Sequence, residues 1–220
     1  MGEMAAHLAH EIRNPLGSIS GSAQVLLSEP NISPEQERLL AIITRESKRL
    51  SDALNQFLFQ ARPVPRRPGP VDLGPVVEEA ITLLRNGPEV GNGRVVDFEA
   101  QEGPHLCLAD PDQITQVFWN LARNGLEAMP AGGVLRVRLR RTTDEVVLSV
   151  KDEGRGMASD EQRHIFEPFH SRTPMGTGLG LAIVYRIVRE QRGDITVRSV
   201  PSEGTEVEVR LPLVTAQVPA

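Results

Sequence analysis

The sequence predicts two folded parts in one chain: an all-α helical hairpin that closes a four-helix bundle as a dimer, and an α+β sandwich with helices on one face of a mixed sheet. Three observations predict this. Two long apolar stripes at helical spacing fill the first 61 residues, a proline-dense segment follows, and strand and helix patterns alternate from Val71 onward. The segment Arg62-Pro63-Val64-Pro65-Arg66-Arg67-Pro68-Gly69-Pro70 cannot continue a helix and marks the boundary. The expected parts are therefore residues 1–62, a linker over 63–70, and residues 71–215. The linker arginines read as solvated charge more readily than as a phosphate-binding patch.

The first helix is expected from near the N-terminus to about Ser28. Ala5, Leu8, Ile12, Leu16, Ile19, Ala23 and Leu26 recur at steps of three or four and form one stripe. Glu29-Pro30-Asn31-Ile32 breaks it. Ser33-Pro34-Glu35-Gln36 restarts a helix: a hydroxyl for the N-cap, proline at the first helical position, and Gln36 three residues after the cap. Leu39, Ile43, Leu50, Leu54, Phe57 and Ala61 then make a second stripe. A two-helix hairpin cannot bury both stripes alone, and two hairpins can close one core; the alternative is an arm folded back on the second part of the chain.

In that second part, Leu73 to about Arg85 reads as a helix, Arg94–Ala100 as a strand and Leu106–Ala109 as a short strand. Asp110-Pro111-Asp112-Gln113 opens a helix through Ala128. Leu135, Val137 and Leu139 alternate with Arg136, Arg138 and Arg140, as in a strand with one wet face. The apolar run from Val146 to Val150 reads as a buried central strand. A helix over Leu179–Arg192 and strands over Ile195–Ser199 and Val207–Leu211 complete the set, with a frayed tail from Thr215.

Composition narrows the function classes. The chain of 220 residues is 40% hydrophobic and 24% charged, the profile of an ordinary globular protein. A net charge of −5 leaves no broad basic footprint, so no nucleic-acid partner is expected. No apolar run approaches the roughly 20 residues of a membrane span, and no signal peptide opens the chain. Cys107 is the single cysteine, which excludes an internal disulfide and suits a reducing cytoplasm. His7, His105 and His164 read as surface or satisfied structural residues.

His10-Glu11-Ile12-Arg13-Asn14-Pro15-Leu16 is the unusual stretch of the first helix. His10 lies two positions from both Leu8 and Ile12, so it projects roughly 160–200° from the apolar stripe, toward water. Pro15 interrupts the same helix at a cost of about 3 kcal/mol in an ordinary helix interior, which suggests a functional reason for it. A lone exposed histidine is most often a solvated residue, but this one stands beside Glu11, Asn14 and Pro15. The run Leu8–Leu16 resembles the H-box of two-component sensor histidine kinases, whose dimerisation domain carries the phosphoacceptor histidine.

Three later segments suit a nucleotide. Asn120 and Asn124 are four apart on a helix, so their amides share a face, and amide oxygens are hard ligands that suit Mg²⁺. By residue type alone they are ordinary helix-surface residues; the segment around them resembles the kinase N-box, which implies Asn124 as the main magnesium ligand with Asn120 beside it. Gly125 departs from that pattern, where alanine is usual, and is expected to loosen the helix by at most about 1 kcal/mol. Asp152-Glu153-Gly154-Arg155-Gly156-Met157 follows the buried strand. By itself it is a turn signal. It resembles the G1 box, which implies that Asp152 accepts from the amino group of adenine while Gly154 and Gly156 admit the base.

Gly176-Thr177-Gly178-Leu179-Gly180-Leu181 runs into a helix, where backbone N–H groups and the dipole favour phosphate oxygens. It resembles the G2 box, with Phe166-Glu167-Pro168-Phe169 before it resembling the F-box. Arg172, where lysine is common, is a candidate lid cation or a solvated loop arginine. Gly204-Thr205 resembles the last glycine box and brings Thr205 into the ATP-binding set.

The order of the boxes agrees with one family across nearly the whole chain. The resemblance implies autophosphorylation of His10 from Mg-ATP, with Glu11 as general base. The phosphoryl group would then pass to an aspartate on a response regulator receiver domain. Asn14, one turn after His10, implies a possible phosphatase activity through water positioning. Cofactors are then ATP and Mg²⁺, and the assembly a homodimer. Two rivals remain: an ATPase of the gyrase, Hsp90 and MutL type, which carries a glutamate general base where this chain has Asn120, and a non-reacting nucleotide-binding scaffold. The chain begins close to His10, so a sensor part is expected elsewhere, in a longer kinase rather than in the alternative, a separate protein.

Overall fold

The computed structural model describes residues 2–29, 31–61, 68–91, 93–168 and 178–214; within the two long helices it describes the side chains of residues 12, 14–29, 31–47 and 50. Two compact units result, one built on the helical hairpin and one on the sheet.

In the hairpin, α1 (Gly2–Leu27) runs through Pro15 without ending, and α2 (Pro34–Ala61) packs against it. The restart at Ser33 is a reciprocal capping box: Gln36 N donates to Ser33 Oγ at 3.2 Å and Ser33 N to Gln36 Oε1 at 2.8 Å. Leu16 and Ala23 are buried between the helices. Ile12, Ile19, Leu26, Leu39, Ile43 and Leu50 keep between 42% and 55% of their surface exposed. One hairpin therefore covers only part of its two stripes, as their width requires.

The second unit carries a five-stranded mixed sheet in the order β2 (Arg94–Ala100), β4 (Gly133–Arg141), β5 (Glu145–Asp152), β7 (Gly204–Pro212), β6 (Asp194–Val200). The β2–β4 pair is parallel and the rest are antiparallel. Helices α3 (Leu73–Arg85), α4 (Pro111–Ala128) and α6 (Gly180–Glu190) cover one face. Asp72 and Asp110 cap α3 and α4 with their carboxylates, and Pro111 begins α4 as its position predicts.

β5 is central, and the apolar run that predicted its burial is explained on both sides. Val146, Leu148 and Val150 face the helices. Val147 and Ser149, on the opposite face, are also buried, beneath a cluster of charged chains from neighbouring strands. Glu208 of β7 accepts from Arg140 of β4 at 3.0 Å and from Arg210 at 2.8 Å, so the ionic group bridges across β5. The hydrogen bond from Arg210 is the main cause holding the Glu208 carboxyl below its usual range.

Two elements were not expected from the sequence. β1 (Gly69–Asp72) pairs antiparallel with β3 (Leu106–Ala109) in a separate two-stranded sheet, so Gly69 and Pro70 belong to a strand. A single helical turn, α5 (Ser159–Gln162), follows the glycine-rich segment after β5.

Candidate functional site

Inward-facing positions of the three adjacent strands β5, β7 and β6 end on polar residues at the same edge. Asp152 follows Val146, Leu148 and Val150; Thr205 precedes Val207, Val209 and Leu211; Ser199 follows Ile195 and Val197. Register pairs Asp152 with Thr205 and Thr205 with Ser199, which sets the three side chains in a row. Asp152 is the last residue of β5 and is 6% exposed. Its Oδ1 accepts from Gly154 N at 2.8 Å and from Thr205 N at 3.3 Å. Among the described residues no hydrogen bond is made to Oδ2. Burial pushes the Asp152 pKa up, against the opposing pull of the backbone donors.

Glycines allow the backbone to close around this carboxylate. Gly204 has φ of +100°, and a Cβ there would run into the backbone carbonyl oxygen of Asp152. Gly156, at φ +60°, lies equally tight against the carbonyl oxygen of Val200, and Ser202 N donates to Arg155 O at 2.8 Å. The segment after β5 is thereby held on the β6–β7 turn. Gln162 of α5 adds to this, donating to Met157 O at 3.2 Å and Ser199 O at 2.8 Å.

The asparagines come to the same edge. Asn120 Nδ2 donates to Gln116 O at 3.0 Å, and among the described residues its Oδ1 takes no hydrogen bond. A Cβ on Gly180 would sit 3.1 Å from that Oδ1 and 3.8 Å from Asn124 Nδ2, so the start of α6 lies against both amides. Phe166 stacks on Tyr185 of α6 with ring centroids 5.3 Å apart, which fixes the segment ahead of residue 169. Gly178, Leu179 and Leu181 are described, with Leu179 buried. Arg172, Gly176 and Thr177 lie outside the described residues, as do the side chains of His10 and Glu11. Asn14 is exposed on α1.

The site fits a magnesium nucleotide on two counts. Asp152 is 6% exposed, and among the described residues its Oδ2 takes no hydrogen bond, which leaves it as an acceptor for an exocyclic amino group. The Oδ1 of Asn120, beside the start of α6, is an oxygen ligand of the kind a hard cation takes.

Gly125 departs from expectation in its physical cause. A Cβ there would meet Leu135 Cδ1 at 2.6 Å and Asp152 Cβ at 3.3 Å. The glycine lets α4 lie close to the sheet beside Asp152, with Leu135 filling the space a methyl would take; helix propensity is the lesser matter. His105 is also corrected: it is buried, its Nε2 has no hydrogen-bond partner among the described residues, and burial lowers its pKa. It is neither a surface residue nor a fully satisfied one. Its backbone N–H donates to Asp72 Oδ1 at 2.9 Å, tying β3 to the α3 cap. Cys107 is buried, which raises its thiol pKa to about 12 and leaves it inert as a nucleophile. Ser199 is the site residue that sequence reasoning missed. A polar residue on the inward register of an apolar strand was the available signal.

Fold and site together define an ATP-binding domain: residues 109–215 match the family described as histidine kinase-, DNA gyrase B-, and HSP90-like ATPase. Residues 1–64 match the His Kinase A (phospho-acceptor) domain. The chain belongs to the sensor histidine kinases, as their catalytic core. It is 36% identical over 214 residues to Sporulation kinase C of Bacillus subtilis (strain 168), an alignment covering 96% of this chain and 49% of that protein. It is 34% identical over 215 residues to the sensor histidine kinase ZraS of Escherichia coli (strain K12), covering 97% and 46%. The chain thus spans about half the length of these relatives.

Among solved structures, full-length ShkA in complex with AMPPNP aligns with a TM-score of 0.75 at 26% identity, covering all of this chain and 48% of that one. ThkA in complex with the response regulator protein TrrA aligns with a TM-score of 0.70 at 25% identity, covering 97% and 62%. Among the described residues no helix is long and apolar enough to cross a membrane.

Proposed function

We propose that this chain is a protein-histidine kinase core that transfers the γ-phosphoryl group of Mg-ATP to His10 and then to an aspartate of a response regulator. One observation carries the reading: separated segments resembling the family's nucleotide boxes meet at one sheet edge, Asn120 against Gly180 and Gly125 against Asp152. Asp152 accepts from the base, with Gly154 and Gly156 giving it room. Thr205 lies beside that carboxylate. Gly176, Thr177, Gly178, Leu179, Gly180 and Leu181 line the phosphates, with Arg172 as a cation over them. Asn124 and Asn120 hold Mg²⁺ through their amide oxygens, and the ion, when bound, offsets charge on the triphosphate.

The transfer breaks the bond between the γ-phosphorus and its bridging oxygen, and a bond to a neutral imidazole nitrogen of His10 replaces it as ADP leaves. Glu11 accepts the proton from the other ring nitrogen. Catalysis is mainly positioning and charge neutralisation. The half-exposed stripes of α1 and α2 support a homodimer closed by a four-helix bundle. We place the core in the cytoplasm, which the single buried cysteine suits. Asn120 stands where the gyrase-type ATPases carry a glutamate base, which disfavours hydrolysis to water. The test is label from γ-labelled ATP: the kinase reading expects label bound to protein and passed to an added receiver domain, while free phosphate without bound label contradicts it.

Asn14, exposed one turn beyond His10, positions the water that dephosphorylates the regulator. Asn14→Ala is expected to slow loss of phosphate from a phosphorylated receiver domain by about tenfold or more. An unchanged rate removes Asn14 from that role.

A further inference from the structure

The row Asp152–Thr205–Ser199 contains a hydroxyl whose proton is determined by its neighbour. Ser199 Oγ lies 3.0 Å from Gly204 O and 2.9 Å from Thr205 Oγ1. A carbonyl oxygen cannot donate, so the first contact requires the Ser199 proton. The second contact then has a proton only if Thr205 donates to Ser199. No other assignment puts a proton in both contacts. Thr205 Oγ1, with its hydrogen directed at Ser199, is left as an acceptor, in register beside Asp152 with its open Oδ2.

We propose that Ser199 is a positioning residue for purine selectivity: by holding the Thr205 proton, it makes this edge of the site present acceptors only. The proposal rests on the ATP-site reading above and deepens it. A 6-amino purine brings two N–H donors to such an edge, whereas a 6-keto purine brings an oxygen that finds no donor. Ser199 does not touch the base in this scheme. It acts through Thr205, and its backbone carbonyl, held by Gln162 Nε2 at 2.8 Å, fixes where it stands.

The experiment is calorimetric titration of the whole chain with ATP and with inosine triphosphate, for wild type, Ser199→Ala and Ser199→Thr. Loss of the Ser199 hydroxyl frees the Thr205 proton to turn toward a keto oxygen. Ser199→Ala is therefore expected to lower the ratio of ATP to inosine triphosphate affinity about five- to tenfold, chiefly by tightening the latter. Ser199→Thr, which keeps a hydroxyl, retains the wild-type ratio. An unchanged ratio in Ser199→Ala overturns the proposal, and so does equal weakening of both nucleotides, which is what a purely structural role gives. If wild type binds neither nucleotide, the underlying ATP-site reading fails instead, and the role of Ser199 falls with it.

Discussion

Asp152→Asn is expected to abolish ATP binding while leaving the nucleotide-free domain at least as stable as wild type. The amide keeps an oxygen for the donors now served by Oδ1, Gly154 N and Thr205 N. It replaces Oδ2 with an N–H group, which faces the amino group of the base donor to donor. Two clashing donors in a buried site, in place of a charged hydrogen bond, weaken binding by at least about 100-fold, or about 2.7 kcal/mol. The stability half follows from the raised pKa of Asp152. The folded state holds this proton more tightly than the unfolded chain. Apo stability therefore falls as pH rises from the ordinary carboxylate range through the raised value, and above it the buried charge is a standing cost. The neutral amide removes that cost. Nucleotide titration and thermal unfolding of the apo protein at neutral pH measure the two effects. A large loss of apo stability contradicts the account. Wild-type ATP affinity should likewise weaken as pH falls through the raised pKa, because a protonated carboxyl is a poorer acceptor.

Gly204→Ala is expected to destabilise the ATP-binding unit by about 3–5 kcal/mol and to remove nucleotide binding. Two independent penalties combine. At φ +100° an L side chain is strained whatever the space around it. The new methyl would also collide with the carbonyl oxygen of Asp152 and lie 3.1 Å from Glu153 Cα, so backbone rather than a flexible side chain must move. That movement separates β5 from β7 where Thr205 N reaches Asp152 Oδ1. Urea unfolding followed by circular dichroism measures the first effect and ATP titration the second. A variant with wild-type stability would mean that the strand ends do not approach this closely.

The helix starts were legible because their chemistry is local. Ser33, Pro34 and Gln36 lie within one turn, as do Asp110 and Pro111, and each pattern satisfies the first backbone donors of its own helix. β1 was not legible. Gly69 and Pro70 are residues of turns, and the strand exists because it pairs with Ala109 and Leu108, far away in sequence. The same holds for the outer face of β5: the apolar run showed burial, but only the register reveals that Arg140 and Arg210 meet on Glu208 across it. At the site, Asp152, the two asparagines and the glycines stood out through their resemblance to family boxes. Ser199 did not, because its role depends on lying beside Thr205. Gly125 was noticed as an anomaly, but its cause, Leu135 across the interface with the sheet, is tertiary.

The central claim is that the phosphoryl group of ATP is carried on His10. The most direct measurement incubates wild type and His10→Gln with γ-labelled ATP and Mg²⁺, then challenges the labelled protein with acid and with base. The account predicts label that is lost in acid, survives base and is absent from His10→Gln. Equal labelling of the variant, or release of free phosphate with no label on either protein, would contradict it.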